Sequence, residues 1–301
     1  MKPIEALRTP EARFQGLPDY EYDPHYVDSL PGYEGLRAHY LDLGSKDSER
    51  TWLCLHGNPT WSYLYRKMIP VMLESGARVI APDLFGFGRS DKPAQESTYT
   101  FHFHRNFLLR FAEHVAARNI TLVVQDWGGI LGLTLPVDAG FRSKLHRLFV
   151  MNTLLPVGKP LGPHFYEWRA QVRKTPDLPV GQAIRSITPQ LTDQEVAAYD
   201  APFPDIRFKA GARMFPELAM VEPGMEGVAE AEAALRFWRE EWAGDSFMAI
   251  GAKHPDAATM HTLRSQIRGC PEPLVLSEAG HFVPEWGEPV ARAALRSFGD
   301  A

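Results

Sequence analysis

The stretch Val123-Val124-Gln125-Asp126-Trp127-Gly128-Gly129 runs an apolar, strand-like segment into the start of a helix, with an aspartate at the turn and glycines on its far side. In a strand–turn–helix of this kind, the strained turn lifts one side chain above the sheet edge and sets the backbone N–H of the next residue beside it. The lifted residue here is Asp126, and Val124 stands where such turns usually carry their first glycine. A carboxylate with a reference pKa of about 3.9 is ionised at neutral pH. It can therefore displace a leaving group at a saturated carbon without a base to activate it. The product is an ester on Asp126 that a second group must hydrolyse. The plainer alternative is that Asp126 only caps the following helix, a position aspartate favours.

The surrounding pattern decides what kind of sheet carries this turn. Strand-like runs at residues 36–41, 52–55, 77–81, 121–124, 148–151, 247–251 and 274–277 alternate with helical stretches at 63–73, 103–117, from 129 onward, 229–238 and 289–298. Strand, helix, strand in sequence builds a parallel sheet, and near-continuous apolar strands fit a sheet covered on both faces. From residue 156 to 223 the texture changes: the segment holds 10 of the chain's 25 prolines and no strand-like run. It reads as an inserted helical cap, leaving residues 1–155 and 224–301 as an α/β core.

Composition narrows the function classes. With 301 residues and 45% hydrophobic side chains, the chain can bury a large core without disulfides or metals. Its two cysteines, Cys54 and Cys270, match no ligand or redox spacing and read as reduced thiols. Thirty-two basic against 37 acidic residues give a net charge of −5, which argues against nucleic acid and anionic lipid as partners. The first thirty residues lack the apolar centre of a secretory signal and nothing later spans a membrane, so the expectation is a cytoplasmic protein. The tract Gly86-Phe87-Gly88 follows a strand but has Asp91 where a dinucleotide loop needs its third glycine. His102 and His104, two apart on a helix, do not face a common metal.

Two further motifs fall on the same predicted sheet edge as Asp126. Ala279-Gly280-His281-Phe282 follows the last strand and offers His281 as a base. His56-Gly57-Asn58-Pro59 ends an earlier strand, where the Asn58 N–H can join that of Trp127 as an oxyanion donor.

Together, residues 56–63 (His56-Gly57-Asn58-Pro59-Thr60-Trp61-Ser62-Tyr63), the tract from Asp83 to Pro93, Gln125-Asp126-Trp127-Gly128 and Gly280-His281-Phe282 resemble the haloalkane dehalogenases of the α/β-hydrolase fold. The likeness spans nearly the whole chain, including Arg8-Thr9-Pro10 and the Ala201-to-Asp205 run in the cap. It is closest to the branch whose acid follows the strand after the cap. The resemblance implies Asp126 as nucleophile, His281 as base, no cofactor, a haloalkane and a halide ion as the small-molecule partners, and a monomer. It places the halide between the indole N–H groups of Trp127 and Trp168, with the Asn58 amide as a third donor. It also suggests Phe165, Ile130, Leu84, Phe215 and Pro216 as pocket residues. Epoxide hydrolysis is the neighbouring possibility, because it shares the Asp and His and needs cap tyrosines, for which Tyr166 and Tyr199 are available.

The acid is where the likeness fails. After the strand at 247–251 the family pattern places a carboxylate at the slot that holds His254, and Asp256 follows two residues later. The sister branch's slot holds Asn152. Asp256, swung in by a shortened loop, is the expected acid. Without one, ester hydrolysis suffers more than ester formation and the chain captures its substrate without turning it over.

Overall fold

The computed structural model describes residues 4–300. Eight strands form one sheet: β1 His25–Val27, β2 Ala38–Leu43, β3 Thr51–Leu55, β4 Arg78–Pro82, β5 Ile120–Gln125, β6 Leu145–Met151, β7 Asp245–Gly251 and β8 Leu274–Leu276. Their order across the sheet is β8-β7-β6-β5-β3-β4-β2-β1. The six strands from β8 to β4 run parallel, whereas β2 pairs antiparallel with both β4 and β1. Every residue of β3, β4 and β5 is buried, as unbroken apolar strands in the middle of a two-sided layer require.

Eleven α-helices complete the fold: α1 Ile69–Glu74, α2 Phe101–His114, α3 Trp127–Gly132, α4 Ala139–Arg142, α5 Pro163–Lys174, α6 Val180–Ser186, α7 Asp193–Asp200, α8 Ala210–Leu218, α9 Val228–Arg236, α10 Ala257–Ser265 and α11 Gly287–Phe298. Helices α5 to α8, in the segment read above as a cap, lie between β6 and α9 with no strand among them, and α5 and α6 share a cavity with residues just past the ends of β3 and β5. Local chemistry sets their ends. Thr100 caps α2 by accepting from the Phe103 N–H, and Thr192 with Glu195 makes a reciprocal capping box at α7.

The sequence reading and the structure part at a few places. The helical stretch at 63–73 is two pieces, a 3-10 turn at Ser62–Tyr65 and α1, with Pro70 at the start of the second. Strand β1 and helix α10 have no counterpart in the reading: β1 is three residues long at the sheet edge, and α10 follows directly on the unusual 252–256 loop. No helix among the described residues is long and apolar enough to cross a membrane.

Strand register brings the chemistry together. Gln125 is level with Met151 at the ends of β5 and β6, so Asp126 and Asn152 both fall just past the sheet edge, where the Asp126 N–H donates to the Asn152 carbonyl at 3.0 Å.

Candidate active site

Asp126 sits at the turn between β5 and α3 with φ +51° and ψ −125°, a conformation unusual for a residue with a Cβ. Its surroundings hold it there. The Thr153 hydroxyl donates to its carbonyl at 2.6 Å. Gly128, one residue beyond Trp127, lies so close to β3 that a Cβ would stand 1.9 Å from the Leu55 carbonyl oxygen. The same holds across the site, where a Cβ on Gly57 would come within 2.2 Å of Asp126 Oδ1. Both glycines are what allow the turn and the β3 loop to approach this closely.

The carboxylate meets two partners from other strand ends. The Asn58 N–H donates to Oδ1 at 2.7 Å, and His281 Nε2 stands 3.3 Å from Oδ2. The Trp127 N–H, at the first position of α3, has no partner among the described residues and is one of that helix's free amides. Asp126 and His281 retain 20% and 18% side-chain exposure, and both line an apolar cavity of about 640 Å³. Helices α5 and α6 supply its roof through Phe165, Trp168, Ala183 and Ile184, and Asn58, Asp126 and His281 lie on its floor.

The expected halide donors and pocket residues divide. Trp168 and Phe165 line the cavity from α5. Asn58 lines it too, and its side-chain amide is buried with neither Oδ1 nor Nδ2 hydrogen-bonded, so a polar group stands ready for a ligand. Trp127 is buried beside Asp126, its ring edge-on to Phe215 at 4.9 Å, and it too is not among the residues lining this cavity. Ile130, Leu84, Phe215 and Pro216 do not line this cavity; all four are buried. Phe215 is committed to the rings of Phe87, His104 and Trp127, so the expectation that these four wall the cavity is corrected: they back the site.

The expected acid is also corrected. Among the described residues Asp256 forms no ion pair or hydrogen bond through its carboxylate; that group lies against the start of α5, with Oδ1 2.9 Å from where a Cβ of Gly162 would be. The slot beside His281 holds the His254 ring, 4.8 Å away between ring centroids. Burial, reinforced by His281, pushes His254 down to about 3, so it is a neutral ring at neutral pH. The Nδ1 atoms of both rings are buried without a partner. Asn152, in the other branch's slot, grips backbone instead: its Nδ2 donates to the Gly280 and His281 carbonyls at 2.9 and 3.0 Å.

Two residues the motifs did not single out also reach His281. One is His254. The other is Gln125, fully buried at the end of β5, whose Nε2 stands 3.1 Å from His281 Nε2 and 3.2 Å from the His281 carbonyl. A glutamine in an otherwise apolar central strand was the available signal. Of the cap tyrosines, Tyr199 is buried and donates to Glu285, and neither it nor Tyr166 lines the cavity. Epoxide opening therefore lacks its proton donors here.

Comparison with known proteins agrees with this geometry. A family model for the alpha/beta hydrolase fold matches residues 52–288. Haloalkane dehalogenases of Psychrobacter cryohalolentis and Mycolicibacterium paratuberculosis are each 40% identical to the chain, the first over 99% of both chains and the second over 94% of both. The solved haloalkane dehalogenase DpaA from Paraglaciecola agarilytica NO2, a tetramer, superposes with a TM-score of 0.95 at 50% identity, covering 98% of this chain and 99% of its own. Forty per cent identity over nearly the whole of both chains, with the same fold at a TM-score of 0.95, means that the chain belongs to the haloalkane dehalogenases, hydrolases of the α/β-hydrolase fold that act on carbon–halogen bonds.

Proposed function

We propose that Asp126 is the nucleophile, His281 the base, and the Asn58 and Trp127 amides the oxyanion donors of this dehalogenase. The observation that carries the reading is the Asp126 carboxylate held between the Asn58 N–H at 2.7 Å and His281 Nε2 at 3.3 Å on the floor of an apolar cavity. Oδ1 is engaged by the amide, so Oδ2 attacks the halogen-bearing carbon. The carbon–halogen bond breaks with both electrons leaving on the halide, and the indole N–H groups of Trp127 and Trp168 with the Asn58 amide are donors suited to that anion. The second step adds water. His281 Nε2 takes a proton from it as its oxygen bonds to the ester carbonyl carbon, and the charge that develops on Oδ1 falls on the Asn58 and Trp127 N–H groups. The intermediate then collapses: the bond from the Asp126 carboxyl carbon to the alkyl oxygen Oδ2 breaks, that oxygen takes the proton held on His281 Nε2, 3.3 Å away, and leaves as an alcohol, and the regenerated Asp126 carboxyl group releases its remaining proton to solvent.

No carboxylate stands at His281 Nδ1 to stabilise the imidazolium formed in this second step. Alkylation does not need the base, whereas hydrolysis does, so hydrolysis is the slow step and the alkyl-enzyme accumulates during turnover. The test is His281→Phe mixed with 1-bromobutane, followed by intact-protein mass spectrometry and peptide mapping. The expected result is about one bromide released per protein, with a butyl mass retained on Asp126. Sustained bromide release from that variant removes His281 from the role of base. The tetrameric form of the Paraglaciecola enzyme supports an assembled state for this chain in place of the expected monomer, which light scattering on the purified protein reads directly.

A further inference from the structure

We propose that Gln125 is a positioning residue that sets the tautomer of His281 from the Nε2 side, in a site where no carboxylate sets it from Nδ1. The inference rests on the reading of His281 as the base.

The orientation of the Gln125 amide is set by its neighbours. Gln125 Nε2 lies 3.2 Å from the His281 carbonyl oxygen, which can only accept a hydrogen bond. Turning the amide over would set two acceptor oxygens against each other, so the carbonyl fixes the NH2 group on this side. One of its two hydrogens goes to the carbonyl. The other faces His281 Nε2 at 3.1 Å, and that contact is a hydrogen bond only when Nε2 carries a lone pair. The ring proton then resides on Nδ1, which is the tautomer a base needs. Gln125 cannot drift to another arrangement easily: it is fully buried and lies in the β5–β6 ladder opposite Met151.

In a Ser-His-Asp triad the carboxylate does this work by accepting from Nδ1–H, and an inverted tautomer there costs on the order of 10⁴ in rate. Here His281 Nδ1 is buried with no acceptor, His254 beside it is a neutral ring, and Asp256 is turned toward α5. Gln125 therefore supplies orientation and tautomer without supplying charge. It also gives up its contact with Nε2 when that atom takes the water proton, and the emerging Nε2–H then faces Asp126 Oδ2 at 3.3 Å.

Two variants and two readouts test this. Gln125→Glu keeps the side-chain length but offers only acceptors, and Gln125→Leu removes polarity altogether. Long-range proton–nitrogen correlation on histidine-labelled protein reads the tautomer directly; the native protein is expected to show His281 with Nε2 unprotonated, and Gln125→Glu to move the proton onto Nε2. Rapid-quench kinetics with 1-bromobutane is expected to show the bromide burst within about 2-fold of native in both variants, while decay of the butyl-enzyme slows at least about 10-fold. A native His281 protonated at Nε2 while neutral overturns the proposal. So does unchanged ester decay, or burst and decay falling together, which marks a merely structural residue. Failure of the base assignment itself reads differently, as ester decay persisting in His281→Phe whatever the native tautomer.

Discussion

At the scale of single residues, the contact that matters most is the one His281 lacks. The His254 ring fills the position beside it, neutral and with its own Nδ1 unpartnered. Replacing that ring with a carboxylate of similar reach, His254→Glu, is expected to raise the rate of ester hydrolysis at least about 10-fold and to lower the steady-state fraction of alkyl-enzyme seen by mass spectrometry, because an acceptor at Nδ1 stabilises the imidazolium. No gain in ester decay from a folded His254→Glu protein would sink the idea that the missing charge limits turnover. By the same geometry Asp256→Asn is expected to change hydrolysis by less than about 3-fold, since its carboxylate faces Gly162 and not the base. The meeting of Asp126 with His281 was legible in the sequence because each is a type of residue at a position only one local geometry serves. The acid was not, because a loop's path over 252–256 depends on what it packs against, and there Asp256 found the start of α5 while His254 found His281.

At the scale of elements, the cap is joined to the core through buried charge. Arg66, ahead of α1, is fully buried and pairs with Glu195 of α7 at 2.5 Å and with Glu285, four residues past the base, at 2.7 Å. Lys67 reaches both carboxylates at 2.9 and 3.0 Å, Tyr199 of α7 donates to Glu285, and Arg66 lies over the Tyr63 ring. Burial works against the Glu195 charge but is outweighed by the Thr192 N–H, Lys67 and Arg66, which hold its carboxyl down to about 2. Removing one member leaves a buried charge short of a partner, at a cost of about 3 kcal/mol or more. Glu285→Gln is therefore expected to lower unfolding free energy in urea by about 3 kcal/mol, and Glu195→Gln by less, because Glu195 and Lys67 retain contact with water. A loss below about 1 kcal/mol in Glu285→Gln would show that the network is dispensable to the fold. None of this network was visible in the sequence, since 66, 195 and 285 are far apart and carry ordinary surface residue types. The sheet was visible, because buried parallel strands announce themselves as short apolar runs, whereas β1 is three residues with little apolar pattern to read.

At the scale of the whole molecule, burial of neutral histidines ties stability to pH. His104 on α2 is fully buried among Phe103, Tyr99 and Phe215, with neither ring nitrogen hydrogen-bonded. Burial, with a small contribution from His56, pushes it down to about 3. His254 is brought to about 3 by burial and His281, and burial lowers the buried His56 as well. An unfolded chain binds protons at these rings near pH 6.5, so between about pH 6.5 and 3 the unfolded state holds more protons than the folded one. Stability is then fully present above pH 6.5 and declines as pH falls, by up to about 1.4 kcal/mol per pH unit for His104 and less for His254, which water partly reaches. Below about pH 4.5 the lowered carboxyl groups of Asp83 and Glu195 add to the same decline, so the window from pH 6 to 5 isolates the histidines. His104→Met keeps apolar volume among the three rings and cannot titrate. Urea unfolding of the two proteins from pH 7 through that window is expected to give parallel curves near pH 7 and a shallower acid decline in the variant, by up to about 2 kcal/mol at pH 5. Identical slopes would mean that His104 takes up its proton in the folded protein, and that the aromatic cluster behind Trp127 admits water or opens well before the molecule unfolds.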